Sequence, residues 1–553
     1  AAGTAVTTGI QNTIVGGLSG DAITTGNYNV SMGVGSLGTL STGAENVAIG
    51  VSAMANSTTC SNNVAVGAQA LQECSTGTSN VAVGHNALDA NTTASNNTAV
   101  GKDALTANTT GTNNVAVGKG SQLSTTDGNY NVSVGTNSLD ANTGGASNTA
   151  IGQNALTENT TASNNTAVGA SALAANTTGA SNVAIGKDSL DSNTTGANNV
   201  AVGMDALQAN TTTSNNTAVG TQALINNIAA NNTALGNDAL AANTTGASNV
   251  AVGAAALDAN TTASNNTAVG KDALGANTTG ATNTAVGARA LTANTTGANN
   301  VSIGYDSMYS NTTGHSNVAI GRDALVVNTT GYENTSVGKE SMEANTDGYY
   351  NTALGMQALE DNTTGDLNTA IGWGTLKNNT TANTNTGIGS QALLTNTTGT
   401  ENSGLGYATL YSNTTANYNT AAGHKSMYTN TTGTQNATLG RESLYSNTTG
   451  GYNVAIGANS LYSNTTASNN TAVGYAALNA NTTGEDAVAI GSGALLANTT
   501  GNNNIAIGYQ ALYDNTTGAY NTAIGWKSLF ENTTANMNVA IGYDAMRDNT
   551  TGA

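Results

Sequence analysis

A repeat of 17 residues runs through the chain and leaves few folds open to it. If the glycine that closes Asn-Thr-Ala-Val-Gly or Asn-Val-Ala-Ile-Gly is position zero, equivalent glycines follow in steps of 17 from Gly16 to Gly220. One step of 16 leads to Gly236, and steps of 17 then continue to Gly542, which gives 32 glycines in register. A period this short cannot hold two helices and a loop, whereas it suits one coil of a β-solenoid. The sequence therefore predicts an all-β parallel solenoid, continuous over residues 1–553 and without a separate globular domain.

The residues around each glycine predict the parts of one coil. Position −1 is apolar in every unit, −2 is mostly small and −3 is mostly Val or Thr, which is the alternation of a strand. Position −4 is Asn in 31 of 32 units, with Ala487 the exception, and +4 is Leu or Met in 30 of 32. We expect a strand that ends at the glycine, a second short strand around +3 and +4, and a turn at Asn-Thr-Thr-Gly, positions +7 to +10.

Stacking is what stabilises such a coil, because one coil alone exposes both strand edges and buries too few large side chains. At a spacing of about 4.8 Å, equivalent residues form files along the stack. We expect the side chains at −1 and at +4 to form two buried apolar columns and the Asn at −4 to form a hydrogen-bonded ladder. The 16-residue unit replaces its Asn-Thr-Thr turn by Asn227-Ile228-Ala229-Ala230, so its deletion is expected in a loop.

Composition excludes several classes of protein. The net charge is −19 with only 12 Lys and Arg residues, so no nucleic-acid partner is predicted. The chain has no run of 18 apolar residues, and membrane insertion by this segment is not expected. The 553 residues include no proline, which fits strands whose N–H groups all need a ladder partner.

The residue pattern predicts no catalytic, metal or cofactor site, and hence a protein that is not an enzyme. His85, His315 and His424 fall at positions +1, +11 and +1 of distant coils and read as surface turn residues. Carboxylates recur at +2, often after a basic residue at +1, as in Lys102-Asp103. That alternation indicates a solvated turn rather than a carboxylate array.

Two features leave alternatives open. Asn-Thr-Thr matches a glycosylation sequon in nearly every unit, yet the same Asn could pack in a turn ladder. Cys60 at +10 and Cys74 at +7 of the next coil could form a disulfide or remain thiols.

Aromatic residues mark the second half of the chain. All 19 Tyr fall at +1, +5, +11 or +12, and only Tyr28 and Tyr130 precede Tyr305. One interpretation is that they cover coil edges or chain interfaces, and the other is a stripe that contacts a sugar or another surface. The candidate contact residues are Tyr305, Tyr309, Trp373, Tyr407, Tyr411, Tyr509, Tyr513 and Trp526.

Several units resemble repeats of known fibres. Asn-Thr-Ala-Ile-Gly-Trp-Gly-Thr-Leu at 368–376 and Asn-Val-Ala-Ile-Gly-Tyr-Asp-Ala-Met at 538–546 resemble the head repeats of YadA-type trimeric autotransporter adhesins. The unit at 504–518 resembles the repeat arrays of bacteriophage tail fibres. The resemblance covers essentially the whole chain, although the coil is longer than the autotransporter repeat. It implies a left-handed parallel β-roll, three chains around one axis, and an extracellular fibre that projects from a virion tail or a cell surface.

The expected function is thus a non-enzymatic structural shaft or adhesive segment of an extracellular fibre, most like a phage tail fibre that contacts a host surface. The alternative is a bacterial adhesin or a self-assembling filament of the autotransporter head type. Expected partners are further copies of the chain, as a homotrimer or end to end, and a host-cell glycan or protein. Both chain ends fall inside Thr-Thr-Gly turns, which predicts a longer chain or abutting copies.

Overall fold

The computed structural model describes residues 1–552, and all of its regular elements are parallel strands of three residues. It divides into two units, Ala1–Thr279 and Gly280–Ala553, which are described separately. Each unit is a parallel β-solenoid, so the predicted fold class is confirmed at that level. That one array continues through all 553 residues stays a prediction.

The first unit has one strand per coil. Its strands are β1 (Thr13–Val15), β2 (Val30–Met32), β3 (Val47–Ile49), β4 (Val64–Val66), β5 (Val81–Val83), β6 (Thr98–Val100), β7 (Val115–Val117), β8 (Val132–Val134), β9 (Thr149–Ile151), β10 (Thr166–Val168), β11 (Val183–Ile185), β12 (Val200–Val202), β13 (Thr217–Val219), β14 (Thr233–Leu235), β15 (Val250–Val252) and β16 (Thr267–Val269).

The second unit repeats the arrangement. Its strands are β17 (Thr284–Val286), β18 (Val301–Ile303), β19 (Val318–Ile320), β20 (Thr335–Val337), β21 (Thr352–Leu354), β22 (Thr369–Ile371), β23 (Thr386–Ile388), β24 (Ser403–Leu405), β25 (Thr420–Ala422), β26 (Ala437–Leu439), β27 (Val454–Ile456), β28 (Thr471–Val473), β29 (Val488–Ile490), β30 (Ile505–Ile507), β31 (Thr522–Ile524) and β32 (Val539–Ile541).

Within each unit, consecutive strands pair in register. Thr98 lies opposite Val115, one coil of 17 residues later. Val200 lies opposite Thr217, and Thr217 lies opposite Thr233 across the 16-residue coil. The deletion therefore leaves the strand ladder intact and is absorbed in the turn, as the sequence predicts.

The side chains of each strand face the opposite way from the prediction, with −2 inside the coil and −1 outside. The small residue at −2, such as Ala184, is fully buried, whereas Ile185 at −1 is 40% exposed. The expected buried column at −1 is thus wrong. The reason is space: a Cβ on Gly387 at −2 would lie 2.6 Å from Thr375 Cγ2 and 3.6 Å from Leu376 Cδ1, so only small side chains fit between this strand and the +3 and +4 residues.

The second predicted column is confirmed, but the second predicted strand is wrong. Leu105 at +4 is fully buried, as are the Leu and Met residues at this position in most other coils. The backbone there is a turn with left-handed residues at +2 and +4, as at Asp103 (φ 57°) and Leu105 (φ 52°). It still stacks through cross-coil bonds such as Leu207 N–H to the Ala223 carbonyl, 3.0 Å.

The asparagine ladder at −4 is confirmed. Asn97 Oδ1 accepts from the Asn114 backbone N–H at 2.9 Å, and Asn97 Nδ2 donates to the Gly111 carbonyl at 2.8 Å. Equivalent bonds recur in both units, and these side chains are buried. Because donors and acceptors are matched, a polar file is stable inside the coil.

A second asparagine file occupies +7, inside the sequon. Asn176 Nδ2 donates to Asn159 Oδ1 and to the Gly179 carbonyl, both at 2.9 Å, and Asn176 is fully buried. A glycan on this nitrogen would remove one of its two N–H donors and would need space inside the buried coil, so the folded coil favours the interpretation of these Asn residues as structural. In the coils before Asn91, +7 carries Ile23, Leu40, Ser57 and Cys74 instead.

Candidate functional site

Aromatic side chains at one repeat position come face to face when consecutive coils carry them. The clearest case is the +5 file of Tyr411, Tyr428, Tyr445 and Tyr462. Successive ring centroids are 4.9, 5.3 and 5.1 Å apart, and the planes differ by 18°, 7° and 7°. Burial raises the pKa of Tyr428, which lies between two other rings. We call these four residues the tyrosine file.

Shorter stacks form at +1. Tyr407 stacks on His424 at 5.3 Å. Tyr509 stacks on Trp526 at 6.2 Å, and Trp526 stacks on Tyr543 at 4.7 Å. Lys527 Nζ lies 4.7 Å from the Trp526 ring centre, so the stack also carries a cation–π contact.

The other predicted contact residues lie outside the tyrosine file and outside the stacks at +1. Arg289 lies over Tyr305 and Tyr309, with its guanidinium carbon 5.7 and 4.6 Å from the ring centres. Tyr513 stacks on Phe530 at 5.0 Å. Trp373 is 44% exposed and makes no ring stack among the described residues.

An aromatic cluster at +11 and +12 was not predicted from the sequence. His315, Tyr332 and Tyr349 stack at 5.1 and 4.9 Å, and Tyr350 meets both tyrosine rings edge-on. The signal was present, because His315, Tyr332 and Tyr349 occupy position +11 of three consecutive coils.

Stacking changes what these rings can bind. Inside the tyrosine file, Tyr428 and Tyr445 have both faces covered by neighbouring rings, which leaves their edges and hydroxyl groups for a partner. A sugar that packs on an aromatic face needs an uncovered ring. Among the predicted residues, Trp373 meets that condition most fully, and Tyr305, Tyr407 and Tyr509 are each about half exposed.

Three carboxylates also converge. Oxygen atoms of Glu340, Glu343 and Glu360 lie within 4.8 Å of one another. Basic side chains surround them: Lys339 is 2.8 Å from Glu340, and Lys377 is 2.8 Å from Glu360. Burial and its acidic neighbours raise the pKa of Glu343. The arrangement is a partly exposed charge network that is largely neutralised by its own lysines.

The charged pairs at +1 and +2 match the predicted solvated turns. Lys102 pairs with Asp103 at 2.9 Å, and Arg322 pairs with Asp323 at 2.7 Å, each within one turn. Lys102 lowers the pKa of Asp103 through that hydrogen bond. His85, His315 and His424 lie in different coils, as the sequence indicates.

No helix in the described part of the chain has the length and apolar character needed to cross a membrane. Comparison with protein-family models and with curated proteins finds no match to this sequence.

Proposed function

We propose that the chain is a non-enzymatic shaft of an extracellular fibre, of the kind that projects from a phage tail or a cell and meets a host surface. The observation that supports this most directly is the in-register repetition of one coil, with every strand bonded to its neighbour within each unit. Such stacking resists extension because separating two coils breaks backbone bonds and both asparagine files together. A mechanical role needs that property and needs no reactive group.

The exposed strand face supports a fibre of several chains. The side chains at −3 and −1 of the strands form what we call the apolar stripe. It is made of Val, Ile, Leu, Thr and a few other uncharged residues, and it includes exposed Val15, Ile185 and Leu235. A file of exposed apolar side chains that continues from coil to coil is characteristic of an interaction site. The occupant that we propose is a second and a third copy of the chain, each stripe facing the common axis of a left-handed homotrimer.

The number of chains can be measured directly. Light scattering on the purified chain should give three times its monomer mass, and electron microscopy should show unbranched rods of uniform width. A monomer at all concentrations would contradict the trimer. Filaments that lengthen with concentration would instead favour the alternative, a self-assembling surface filament or bacterial adhesin.

Adhesion is the second part of the proposal. The rings from Tyr305 onward form the only long aromatic series in the sequence, and several of them, such as Tyr305, Tyr407 and Tyr509, are about half exposed. A host glycan or protein surface is a suitable partner for such groups. Substituting Tyr407, Tyr411, Tyr509 and Tyr513 by Ala should reduce binding to host cells at least several-fold. The matched control replaces Tyr28 and Tyr130, and equal binding by both variants would contradict a contact role for the second half.

A further inference from the structure

Two neighbouring coils depart together from the +7 and +10 pattern. Most coils place Asn at +7 and Gly or Ala at +10. One coil instead has Ser57 at +7 and Cys60 at +10, and the next has Cys74 at +7. The three substitutions lie at positions that contact one another in the regular coils.

The regular coils show where a side chain at +10 points. A Cβ on Gly179 would lie 2.6 Å from Oδ1 of Asn176 in its own coil and 3.0 Å from Nδ2 of Asn193 in the next. A side chain at +10 is therefore directed at both +7 side chains. In the unusual coil, the shorter Ser57 replaces the first of them, and Cys74 is the second.

The Cys60 side chain accordingly contacts Cys74 inside the coil. Cys60 and Cys74 are fully buried. Cys60 Sγ lies 3.6 Å from the Cys74 carbonyl oxygen, and Cys74 Sγ lies 3.4 Å from the Gly77 carbonyl oxygen. The interaction with the Cys74 side chain lowers the pKa of Cys60, and the same interaction together with burial raises the pKa of Cys74.

The surrounding backbone keeps the register of the other coils. Asn46 Nδ2 donates to the Cys60 carbonyl at 2.9 Å, as its equivalent Asn97 does to Gly111. The Ser57 hydroxyl is buried beside the Cys60 thiol and helps to lower the pKa of Cys60. What the three substitutions add is a pair of neighbouring cysteines in successive coils.

We propose that Cys60 and Cys74 are the site of a disulfide that joins one coil to the next. Glutathione disulfide serves as the oxidant: the Cys60 thiolate attacks one of its sulfur atoms and expels a glutathione thiolate. Cys74 then loses its proton and attacks the Cys60 sulfur of the mixed disulfide, which expels the second glutathione thiolate. The two cysteine thiols are oxidised, one glutathione disulfide is reduced to two thiols, and the two cysteine protons are taken up by the glutathione thiolates. Because both sulfur atoms are buried, the exchange takes place while the coils close or open.

The test uses the full chain and a cleavage site that the sequence supplies. Glu73 lies between the two cysteines, so a glutamate-specific protease separates them into different peptides. The chain is refolded with reduced and oxidised glutathione, blocked with an alkylating agent in denaturant, and digested without reductant. We expect one linked peptide pair that contains Cys60 and Cys74, an intact mass lower by two hydrogen atoms, and separation of the pair by reductant.

Two free thiols in the folded, oxidised sample would overturn the proposal, and so would glutathione bound at both cysteines without a link. The variant Cys60→Gly/Cys74→Asn restores the repeat pattern and serves as the matched control. Reductant should lower the thermal midpoint of the oxidised wild type by several degrees and leave this variant unchanged. Equal shifts in both proteins would also contradict the proposal. If the wild type fails to refold, the chain is instead secreted into an oxidising periplasm and digested and analysed in the same way.

Discussion

At the scale of single residues, the left-handed backbone at +4 explains a preference in the sequence. This position is Leu or Met in 30 of 32 units and never Ile or Val, although Ile and Val dominate at −1. Leu207 has a φ of 53° and is fully buried. A side chain branched at Cβ clashes with the backbone in that conformation, whereas Leu and Met do not branch until farther out.

The first prediction compares two substitutions of similar volume at this residue. Leu207→Ile should lower the free energy of unfolding by about 1–3 kcal/mol, because a β-branched residue must adopt a left-handed conformation. Leu207→Met should cost less than about 1.5 kcal/mol, since its volume and its unbranched Cβ suit the site. Denaturant unfolding followed by circular dichroism measures both. Equal losses would show that packing alone selects the residue at +4.

The second prediction concerns the gap in the asparagine ladder. Ala487 takes the place of Asn at −4, and its N–H still donates to Asn470 Oδ1 at 2.9 Å. An alanine offers no oxygen to the Asn504 N–H and no amide to the Gly501 carbonyl, which an Asn would bond. Ala487→Asn should therefore raise the free energy of unfolding by about 1 kcal/mol. Asn182→Ala, which opens the same gap in a regular coil, is the control and should lower it by about 1–3 kcal/mol.

Much of this residue-level detail could be predicted, but the facing of the strand and the left-handed turn at +2 to +4 could not. The ladder at −4 and the buried Leu at +4 follow from the pattern alone. The facing of the strand does not, because an alternation such as Val183-Ala184-Ile185 fits either orientation equally well. The coil interior decides it, since the +3 and +4 side chains and the asparagines leave room mainly for small residues such as Ala and Ser at −2.

At the scale of the coil, the glycine at position zero lies where two coils approach closely. Gly203 has a φ of 138°, and a Cβ there would lie 2.3 Å from the Gly220 carbonyl oxygen. Gly203→Ala should lower the free energy of unfolding by about 3 kcal/mol or more, because both the conformation and the stacking distance exclude a side chain. Gly17→Ala is the control, since a Cβ on Gly17 meets no atom within 4 Å. A thermal scan that shows equal loss in both variants would contradict this role of the glycine.

Carboxylates at +5 predict an unusual dependence of stability on pH. Burial raises the pKa of Asp89, Asp140, Asp191 and Asp258, which occupy this position in four coils of the first unit. A folded pKa above the unfolded value means that the folded state binds more protons in the window between them. These groups therefore destabilise the fold at neutral pH, and stability should rise as the pH falls through their folded pKa values towards the unfolded value near 4.

Asp191→Asn tests that sign. The variant should be more stable than the wild type at pH 7, and the difference should shrink as the pH approaches 4. Asp103→Asn is the opposite case, because Lys102 lowers the pKa of Asp103 and the stabilisation is lost on acidification. Unfolding midpoints of wild type and variant are measured between pH 4 and pH 7. A constant difference between wild type and Asp191→Asn over this range would contradict a raised pKa of Asp191.

At the scale of the whole molecule, the sequence predicts a stacked solenoid because each unit repeats the same few constraints. One coil, such as Asn97 to Gly111, already shows all of them. It has a strand with both edges open, a glycine that admits close stacking and two positions for buried asparagine files. The aromatic contacts were harder to predict. Position alone places Tyr428 on the surface, yet only the stacking distance shows that its ring faces are covered by Tyr411 and Tyr445.

The apolar stripe yields the last prediction, which concerns association of whole chains. Ile151, Ile185 and Leu235 are 39%, 40% and 47% exposed in the first unit, on a face without charged residues. If three stripes meet around one axis, three lysines there would bury nine charges in the trimer, and unpaired buried charges are strongly unfavourable. The triple variant Ile151→Lys/Ile185→Lys/Leu235→Lys should therefore change from the mass of three chains to that of one by light scattering. Its circular dichroism should stay that of the folded solenoid, because these side chains point away from the coil interior.

The matched control adds the same charge at exposed turn residues, Thr161→Lys/Thr178→Lys/Thr245→Lys, and should keep the mass of the wild type. A trimer that persists in the stripe variant would place the interface on another face of the coil.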